Sequence, residues 1–429
     1  MKILLVLLDG LADRQHEARG WRTPLEAAQT SNLDALASAG VNGWHYPLAP
    51  GLAPSSFQAH FALFGYPFDE FPGRGLLEAI GEGVVPARGE VALRVNFVTV
   101  EESAGLFEVS ERPDPRSDGE DFSDVDLSDE IDGIRFRFVY SGARQGILVL
   151  SSDEPLSHQV TDADPFEAGA PVIAVQPLVE ATGPTAAART AHAINTWMLR
   201  TPERLHGHAS NFATTKWAGA PVTVQPFSQR WGLRGASVAS GPLYGGLAHT
   251  VGLDHVDPGS LGGQAQADLE RRLDVALRLF EDGYEFAHVH TKVPDHAGHR
   301  KDPAHKRDRI AELDRALARL VRGRAWGRDL VIAVTGDHAT PSSGPLYHSG
   351  EGVPLLVVGG AAGRDSVTAF GEGASRSGLL GQLRGVDLMP VLLMAADRSR
   401  FLAERFTADE RFGTIGRDDL TPLRRDALE

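Results

Sequence analysis

Short apolar runs that stop at acidic or histidine side chains constrain the fold of this chain more than any other feature of its sequence. Residues 330–334 read Leu-Val-Ile-Ala-Val and are followed by Asp337-His338. Residues 2–8 form a similar run, which ends at Asp9. Apolar runs of this length are typical of buried strands. Carboxylate and imidazole groups are poor core material but good metal ligands. The pattern therefore predicts strands whose ends bring metal-binding side chains together.

The spacing of apolar residues predicts alternating strands and helices at both ends of the chain and a different texture in the middle. At the two ends the predicted strands are residues 2–8, 41–46, 236–240, 286–290, 330–334 and 354–358, and the predicted helices are residues 23–39, 57–64, 76–80, 244–251, 264–280 and 304–320. In the middle we predict strands at residues 90–100, 134–139, 146–150 and 171–175, a helix at residues 185–198 and an exposed acidic loop at residues 112–130. Alternating strands and helices favour an α/β core. We therefore predict a discontinuous α/β core, residues 1–85 and 231–429, interrupted by an α+β insertion, residues 86–230.

Composition excludes several kinds of partner and ligand. With 429 residues the chain is long enough for two domains. Its net charge of -15 argues against nucleic acid and an anionic membrane surface as partners. The chain has no cysteine, so any metal must be held by oxygen and nitrogen ligands. The apolar run at residues 1–8 is too short for a signal peptide or a membrane span, and we expect a soluble cytoplasmic protein. The sequence leaves the oligomeric state open.

Three local patterns have both a structural and a functional interpretation. Asp295 and His299 are four residues apart, so on a helical turn they share a face and can chelate one cation; taken alone, a solvated turn explains them better. Asp337 and His338 are adjacent. An aspartate at a strand end commonly caps a helix, whereas on an extended backbone the two side chains would point to opposite sides, toward two different metals. Ser56 lies at a predicted helix start after a Gly/Pro-rich loop, where it is either the N-cap or a nucleophile.

The joint order of these residues is more informative than any one of them. That order is Asp9, Ser56, Asp295, His299, Asp337, His338 and His348. Further motifs are Leu7-Leu8-Asp9-Gly10, Thr23-Pro24-Leu25-Glu26-Ala27-Ala28, Leu63-Phe64-Gly65-Tyr66, Gly73-Arg74-Gly75, Arg94-Val95-Asn96-Phe97, Thr161-Asp162-Ala163-Asp164-Pro165 and His290-Thr291-Lys292-Val293-Pro294-Asp295. With them the chain resembles the alkaline phosphatase superfamily and, within it, the archaeal-type cofactor-independent phosphoglycerate mutases, over nearly its whole length.

The resemblance implies a fold and a metal site. The fold is an alkaline-phosphatase-like core, a mixed and mostly parallel sheet flanked by helices, with an inserted α+β substrate or lid domain. One metal ion would be held by Asp295, His299 and His348, and the second by Asp9, Ser56, Asp337 and His338. These ligands suit manganese or zinc, with magnesium less favoured, and the family name implies that 2,3-bisphosphoglycerate is not required. Ser56 would be the nucleophile that becomes phosphorylated.

The resemblance also implies a substrate, with two departures from the family pattern. The default substrate pair is 3-phosphoglycerate and 2-phosphoglycerate, and the candidate residues that bind it are Arg74, Arg94, Asp162, Lys216 and Lys292. Where the family motif has an aspartate after the nucleophilic serine, this chain has Phe57. Where the family has an Arg-Gly pair in the insertion, it has Lys216-Trp217. Both changes concern recognition of the substrate.

Two other functions remain open from the sequence. The same metal site would serve a hydrolase of a phosphomonoester or phosphonate, or a mutase that acts on a phosphonate analogue; the Phe57 and Lys216 departures motivate this alternative. A non-catalytic relative that binds a phosphorylated ligand is a third possibility. It would have no chemical need for the full set of metal-type ligands.

Overall fold

The computed structural model describes residues 1–17, 20–112, 120–178, 185–322, 326–327, 329–399 and 422–423. The chain forms two compact units. The first unit comprises Met1–Phe71, Gln225–Ser240 and Val251–Glu429, and the second comprises Pro72–Val224 and Gly241–Thr250. The predicted domain borders near residues 85 and 230 stay a prediction. Of the predicted acidic loop, residues 113–119 lie outside the described residues, as does most of the predicted core beyond residue 399.

The strands of the described residues are β1 (Lys2–Leu8), β2 (Val41–Tyr46), β3 (Val91–Ser103), β4 (Leu106–Glu111), β5 (Asp129–Ile131), β6 (Ile134–Gly142), β7 (Gln145–Ser152), β8 (Phe212–Gly219), β9 (Gly235–Val238), β10 (Asp254–Val256), β11 (Phe286–Thr291), β12 (Leu330–Thr335), β13 (Val353–Val358) and β14 (Gly381–Arg384). The helices are α1 (Pro24–Ala27), α2 (Ser31–Ala39), α3 (Ser56–Leu63), α4 (Arg74–Gly81), α5 (Ala186–Arg204), α6 (Phe227–Trp231), α7 (Pro242–Val251), α8 (Ala265–Glu281), α9 (Val293–His299), α10 (Pro303–Arg322), α11 (Glu372–Ser375) and α12 (Leu388–Ala395).

The first unit is built on a mixed, mostly parallel sheet, which confirms the predicted fold class. Its strand order is β10-β9-β11-β1-β12-β13-β2-β14. Strands β10, β9, β11, β1 and β12 are parallel to one another, and β14 is parallel to β2. Strand β13 is antiparallel to both of its neighbours, β12 and β2. Strands β1, β11 and β12 are adjacent and almost fully buried. Such burial on both faces explains why these strands appear in the sequence as nearly continuous apolar runs.

Helices α2, α8 and α10 pack their apolar residues against this sheet. The predicted helix at residues 264–280 is confirmed as α8, and its Leu269, Leu273 and Phe280 are buried in the same cluster as Val6 and Val334. Helix α10 adds Ile310, Leu313, Leu317 and Leu320 to this cluster. A stripe with this spacing places one helical face on a sheet.

The prediction of one helix over residues 23–39 is wrong, because the structure has two short helices there. Helix α1 stops at Ala27, and the next residue, Ala28, is extended. Helix α2 begins at Ser31, and its first turn is capped from far along the chain: the Asp314 carboxylate accepts hydrogen bonds from the backbone N–H groups of Asn32 and Leu33. A tertiary contact of this kind is invisible to local spacing.

The second unit contains an antiparallel sheet with the strand order β4-β3-β7-β6-β5, and β8 also pairs with β3. The predicted hairpin at residues 134–150 is confirmed by the pairing of β6 with β7. Helix α5 covers the sheet with buried residues that include Ile194 and Trp197. The predicted strand at residues 171–175 is wrong: its one bridge is an isolated one at Pro171, and the N–H groups of Val172 and Ile173 donate to separate segments, at Phe107 and Ala163. Proline has no N–H to donate to a strand ladder.

None of the helices among the described residues is both long enough and apolar enough to cross a membrane.

Candidate functional site

The ends of three adjacent parallel strands in the first unit carry the predicted metal ligands. Asp9 directly follows β1, Asp337-His338 follow β12 after one glycine, and helix α9 follows β11 after Lys292. The register places Leu8 beside Thr291 and Leu7 beside Thr335. The carboxyl ends of these strands therefore meet at one edge of the sheet, which is where open α/β sheets carry their ligand sites.

Ser56 is the first residue of α3, and its hydroxyl is not used to cap that helix. The cap is Ser55, which forms a reciprocal capping box with Gln58. The Ser56 Oγ lies 3.0 Å from His338 Nε2, 3.2 Å from Lys292 Nζ and 3.4 Å from Asp9 Oδ1. Of the two interpretations of Ser56, the geometry therefore favours the one in which its hydroxyl faces the polar cluster.

Asp9, Asp337 and His338 form one group of close ligand-type atoms. These atoms lie within 4.8 Å of one another, and all three side chains are buried. The prediction that Asp337 and His338 point to opposite sides is wrong, since Asp337 Oδ2 is 3.4 Å from His338 Nε2. The physical reason is that β12 ends at Thr335 and the backbone bends at both positions, so the alternation of an extended strand does not apply.

Asp295, His338 and His348 form a second group, again within 4.8 Å of one another. Helix α9 is confirmed as the turn that places Asp295 and His299 on one face, with His299 Nε2 3.0 Å from Asp295 Oδ1. The His348 Nε2 atom lies 3.4 Å from the same carboxylate oxygen. His338 thus belongs to both groups, and the sequence did not indicate this.

Two residues that the sequence analysis missed orient these side chains. His290, near the end of β11, lies 2.8 Å from Asp9 Oδ2 through its Nε2 atom. The Thr340 hydroxyl donates to Asp295 Oδ1 at 2.8 Å and lies 3.1 Å from His338 Nδ1, from which it can accept. Such contacts fix the ring orientation and leave Nε2 of His338 available as a ligand. The position of His290 two residues before Lys292 was the only available signal.

The electrostatics of the site are dominated by buried carboxylates. Burial by itself raises the pKa of Asp9, but the Lys292 ammonium and the hydrogen bond from His290 bring it below its ordinary value. Burial and the neighbouring Asp9 carboxylate hold the pKa of Asp337 well above its ordinary value. Burial lowers the pKa of His338 to about 3, so its imidazole is neutral and has a lone pair to offer.

The donor set fits divalent cations. Asp337 Oδ2 and His348 Nε2 are buried and make no well-formed hydrogen bond in the part of the chain that the structure describes; each lies 3.4 Å from another ligand-type atom. Buried polar atoms without a partner are rare and call for an explanation such as an ion. Oxygen and imidazole ligands with no thiolate suit manganese or zinc. The residues of both groups could therefore hold metal ions.

The predicted substrate residues fall into two places. Lys292 lies at the site just described, with its Nζ 3.3 Å from both Asp9 Oδ2 and Asp295 Oδ2. Arg74, Arg94, Asp162 and Lys216 all belong to the second unit.

Arg74, Arg94 and Lys216 form a cationic cluster around Glu78 and the β3–β8 pair. Arg94 and Lys216 are register partners on β3 and β8. The Nε atoms of Arg74 and Arg94 lie 2.7 Å and 3.2 Å from the two carboxylate oxygens of Glu78. Asp162 accepts a hydrogen bond from the backbone N–H of Trp217 at 2.6 Å, which fixes the chain beside Lys216. The Arg94 and Lys216 side chains are largely buried, unlike ordinary surface cations.

Lys216 is surrounded by an acid and two aromatic rings that the sequence analysis did not identify as its partners. Its Nζ is 3.3 Å from Asp164 Oδ2, 4.0 Å from the Trp217 ring centroid and 4.5 Å from that of Phe166. The Arg74 guanidinium lies over the same Trp217 ring, 3.3 Å from its centroid. Burial lowers the pKa of Lys216 to about 8. Trp217 itself has a φ of 57°, a left-handed conformation that is strained for a bulky residue.

Phe57, the first departure from the family pattern, is a packed residue. Its ring is nearly buried and stacks on Phe71 with centroids 5.8 Å apart. It therefore contributes an apolar contact at the start of α3 where the family motif has a carboxylate.

A family model and known proteins that match this chain over nearly its whole length agree on the same family. A model of the metalloenzyme superfamily matches residues 1–395. A 2,3-bisphosphoglycerate-independent phosphoglycerate mutase of Methanopyrus kandleri is 35% identical over 414 residues, which is 92% of this chain and 97% of that protein. A protein of the same name from Pyrococcus horikoshii is 32% identical over 93% of this chain and 98% of its own length.

Solved structures agree with these relatives. A Pyrococcus horikoshii protein superposes with a TM-score of 0.73 at 29% identity and covers 94% of this chain and 99% of its own. The cofactor-independent phosphoglycerate mutase of Thermoplasma acidophilum gives a TM-score of 0.62 at 28% identity, over 92% of this chain and 100% of its own. The chain therefore belongs to the metalloenzyme superfamily and, within it, to the 2,3-bisphosphoglycerate-independent phosphoglycerate mutases, a family of isomerases.

Proposed function

We propose that this protein interconverts 3-phosphoglycerate and 2-phosphoglycerate by phosphoryl transfer through a phosphoserine at Ser56. The observation that carries the proposal is the position of the Ser56 hydroxyl, which contacts Lys292, Asp9 and His338 at the first turn of α3. The names of the relatives supply the substrate pair.

The first half of the reaction uses Ser56 as the nucleophile. Its Oγ forms a bond to phosphorus while the ester bond to the substrate oxygen breaks, and that oxygen leaves as a hydroxyl after taking up a proton. The N-terminus of α3 presents backbone N–H groups and a positive dipole end to the phosphoryl oxygens. Lys292 places an ammonium 3.2 Å from Ser56 Oγ, where it can balance negative charge as the phosphoryl group arrives.

The second half reverses these bonds on the other hydroxyl of the same glycerate. That oxygen attacks phosphorus, the Ser56 Oγ–P bond breaks, and the serine regains its proton. Water must be kept from the phosphoserine, because its attack would turn the mutase into a phosphatase. We propose that the insertion, residues 86–230, supplies this exclusion as a lid on a core formed by residues 1–85 and 231–429.

The two ligand groups would hold two divalent cations. We propose Asp295, His299 and His348 for one ion and Asp9, Ser56, Asp337 and His338 for the other, with manganese or zinc preferred to magnesium. Bound there, such ions neutralise phosphoryl oxygens and favour the ionised form of a serine hydroxyl. His338 has a ligand atom close to both groups, and we propose it for the ion of Asp9 and Asp337.

The cationic cluster of the second unit is our proposed site for the carboxylate end of the substrate. Guanidinium forks match carboxylate oxygens in a bidentate manner, and Lys216 adds a point charge. Asp162 acts by fixing the backbone at Trp217. Arg74 precedes the predicted insertion border but belongs to the second unit by its contacts.

The direct test follows 3-phosphoglycerate by phosphorus NMR with manganese-loaded protein. Formation of 2-phosphoglycerate without free phosphate is the expected result. Stoichiometric release of phosphate would instead establish a hydrolase. If neither product forms although metal is bound, the substrate pair is wrong and a phosphonate or another phosphorylated acid takes its place.

The pKa of Lys216 predicts a pH dependence. Burial lowers this pKa to about 8, so the side chain is a cation below that pH and loses its charge as the pH rises through it. If Lys216 holds the substrate carboxylate, KM should rise above about pH 8, by up to tenfold per pH unit, while kcat changes less. The measurement is the pH profile of kcat and KM.

Lys216→Arg is the matched variant for this prediction. Its guanidinium keeps the charge through the whole range, so the rise in KM should move above pH 10 or disappear. An unchanged profile in Lys216→Arg would show that another group causes the pH dependence.

A further inference from the structure

Lys306 of α10 is a fully buried lysine whose ammonium has all its donors satisfied. Its Nζ donates to the carbonyl oxygens of Ala12 and Thr340 at 2.9 Å and 2.8 Å and lies 3.2 Å from Asp13 Oδ2. An ammonium has three N–H groups, and here three acceptors receive them. Burying such a charge is expensive unless it is paired in this way.

The three acceptors belong to the two loops that follow β1 and β12. The same loops carry Asp9, Asp337 and His338. They are also joined directly, because the Thr340 N–H donates to Ala12 O at 3.0 Å and the Asp13 carboxylate accepts from the Ser342 N–H at 3.0 Å. Lys306 therefore fastens both loops to one helix at their point of contact.

Thr340 links the hydrogen bonds of Lys306 to the proposed metal ligands. Its carbonyl accepts from Lys306, while its hydroxyl contacts Asp295 Oδ1 and His338 Nδ1. A shift of Thr340 would move one residue of each ligand group. Among the described residues Lys306 makes no hydrogen bond or ion pair with Asp9, Asp295, Asp337 or His338. It interacts with Asp295 only through longer-range charge, so it acts on the positions of these side chains through the loops.

We propose that Lys306 is a positioning residue of the metal site. It holds the two loops in the register in which their carboxylates and the His338 ring converge, and it thereby sets the affinity for divalent cations. This inference rests on the proposed metal role of those residues. It goes beyond that role because Lys306 lies outside the ligand set and is eleven positions from Asp295 along the chain.

The competing explanation is that Lys306 only neutralises Asp13. Two variants separate the explanations. Lys306→Met keeps the length of the side chain but removes its hydrogen bonds and takes the ammonium away from the buried Asp13 carboxylate, which is strongly destabilising. Lys306→Met combined with Asp13→Asn removes both charges, so the fold should recover, while the hydrogen bonds to Ala12 and Thr340 stay lost.

The experiment is calorimetric titration of Mn²⁺ into metal-free protein without substrate, together with thermal melting. We expect the double variant to melt close to the wild type and to bind Mn²⁺ about 10- to 100-fold more weakly, the range found when outer partners of metal ligands are removed. Arg307→Met is the matched control on the same helix: this residue pairs with its neighbour Asp308 at the surface, and its removal should leave affinity unchanged.

Three results would overturn the inference. Wild-type affinity in the folded double variant would show that Lys306 only balances charge. Equal loss in Arg307→Met would show a general effect of helix α10. Absence of Mn²⁺ binding by the wild-type protein would remove the proposed metal function itself and this inference with it, an outcome that the titration identifies separately.

Discussion

Ser56→Ala is expected to abolish phosphoenzyme formation and to lower turnover by at least about a thousandfold, because alanine has no hydroxyl oxygen to attack phosphorus. The Ser56 Oγ lies within 3.4 Å of Asp9 Oδ1, His338 Nε2 and Lys292 Nζ, and alanine removes only this oxygen. The ligand groups contain carboxylates and imidazoles that remain in place, so metal binding should persist.

The measurement is intact-mass spectrometry after brief incubation with 3-phosphoglycerate, with turnover measured in parallel. Ser55→Ala is the matched control, since Ser55 is the true N-cap of α3. Loss of a cap destabilises a helix by about 1 kcal/mol, and the Ser55 variant should still form the phosphoenzyme. Undiminished turnover in Ser56→Ala would rule out the phosphoserine mechanism.

Asp337→Asn is expected to remove most of the stabilisation by divalent metal without destabilising the metal-free protein. Burial and the Asp9 carboxylate raise the pKa of Asp337 well above the value of about 4 that it has in an unfolded chain. At neutral pH the unfolded chain therefore releases this proton more readily than the folded one, and the group opposes folding. Asparagine has no proton to release, so the metal-free variant should melt at or above the wild-type temperature.

With Mn²⁺ bound, the wild type should become more stable than Asp337→Asn. In the wild type, Mn²⁺ at a thousandfold excess over its Kd adds about 4 kcal/mol, and the melting temperature should rise by several degrees. In Asp337→Asn the rise should be small, because one anionic ligand is gone.

Thermal melting without Mn²⁺ measures the effect of Asp337→Asn on the metal-free protein, and melting with Mn²⁺ measures how much of the metal-dependent stabilisation remains. Asp308→Asn, at a surface carboxylate that pairs with its neighbour Arg307, is the control and should behave like the wild type. An equal metal-dependent rise in Asp337→Asn would contradict the assignment of Asp337 as a ligand. A metal-free Asp337→Asn protein that melts well below the wild type would contradict the electrostatic argument.

Much of the fold followed from the sequence because the central strands are buried on both faces. Continuous apolar runs such as those of β1 and β12 arise from that burial, and the period of α8 arises from packing on a sheet. The errors occurred where burial was not the deciding factor. Helix α2 begins where it does because of the distant Asp314. The segment at Pro171 forms no ladder because its N–H groups donate to different partners, Val172 to Phe107 and Ile173 to Ala163.

The sequence predicted most of the residues that form the candidate site, but not how their side chains are arranged. Asp9, Asp295 and Asp337 could be found because each follows a strand, and the order of the chain's motifs pointed to a known family. The sequence did not indicate what His290 and Thr340 contact, because their roles depend on a partner in another segment.

The sequence by itself determined which chemical groups are available and which strands carry them. Hydrophobic periodicity reflects burial, and turn residues mark where strands and helices end. The tertiary structure decided which of those groups meet. It turned Asp337 and His338 to the same side, placed His338 in both ligand groups, gave the capping role to Ser55 and brought Lys306 to the loops after β1 and β12. Distances of 3–4 Å between residues hundreds of positions apart are set by how the strands and helices pack, and that packing is a property of the whole chain.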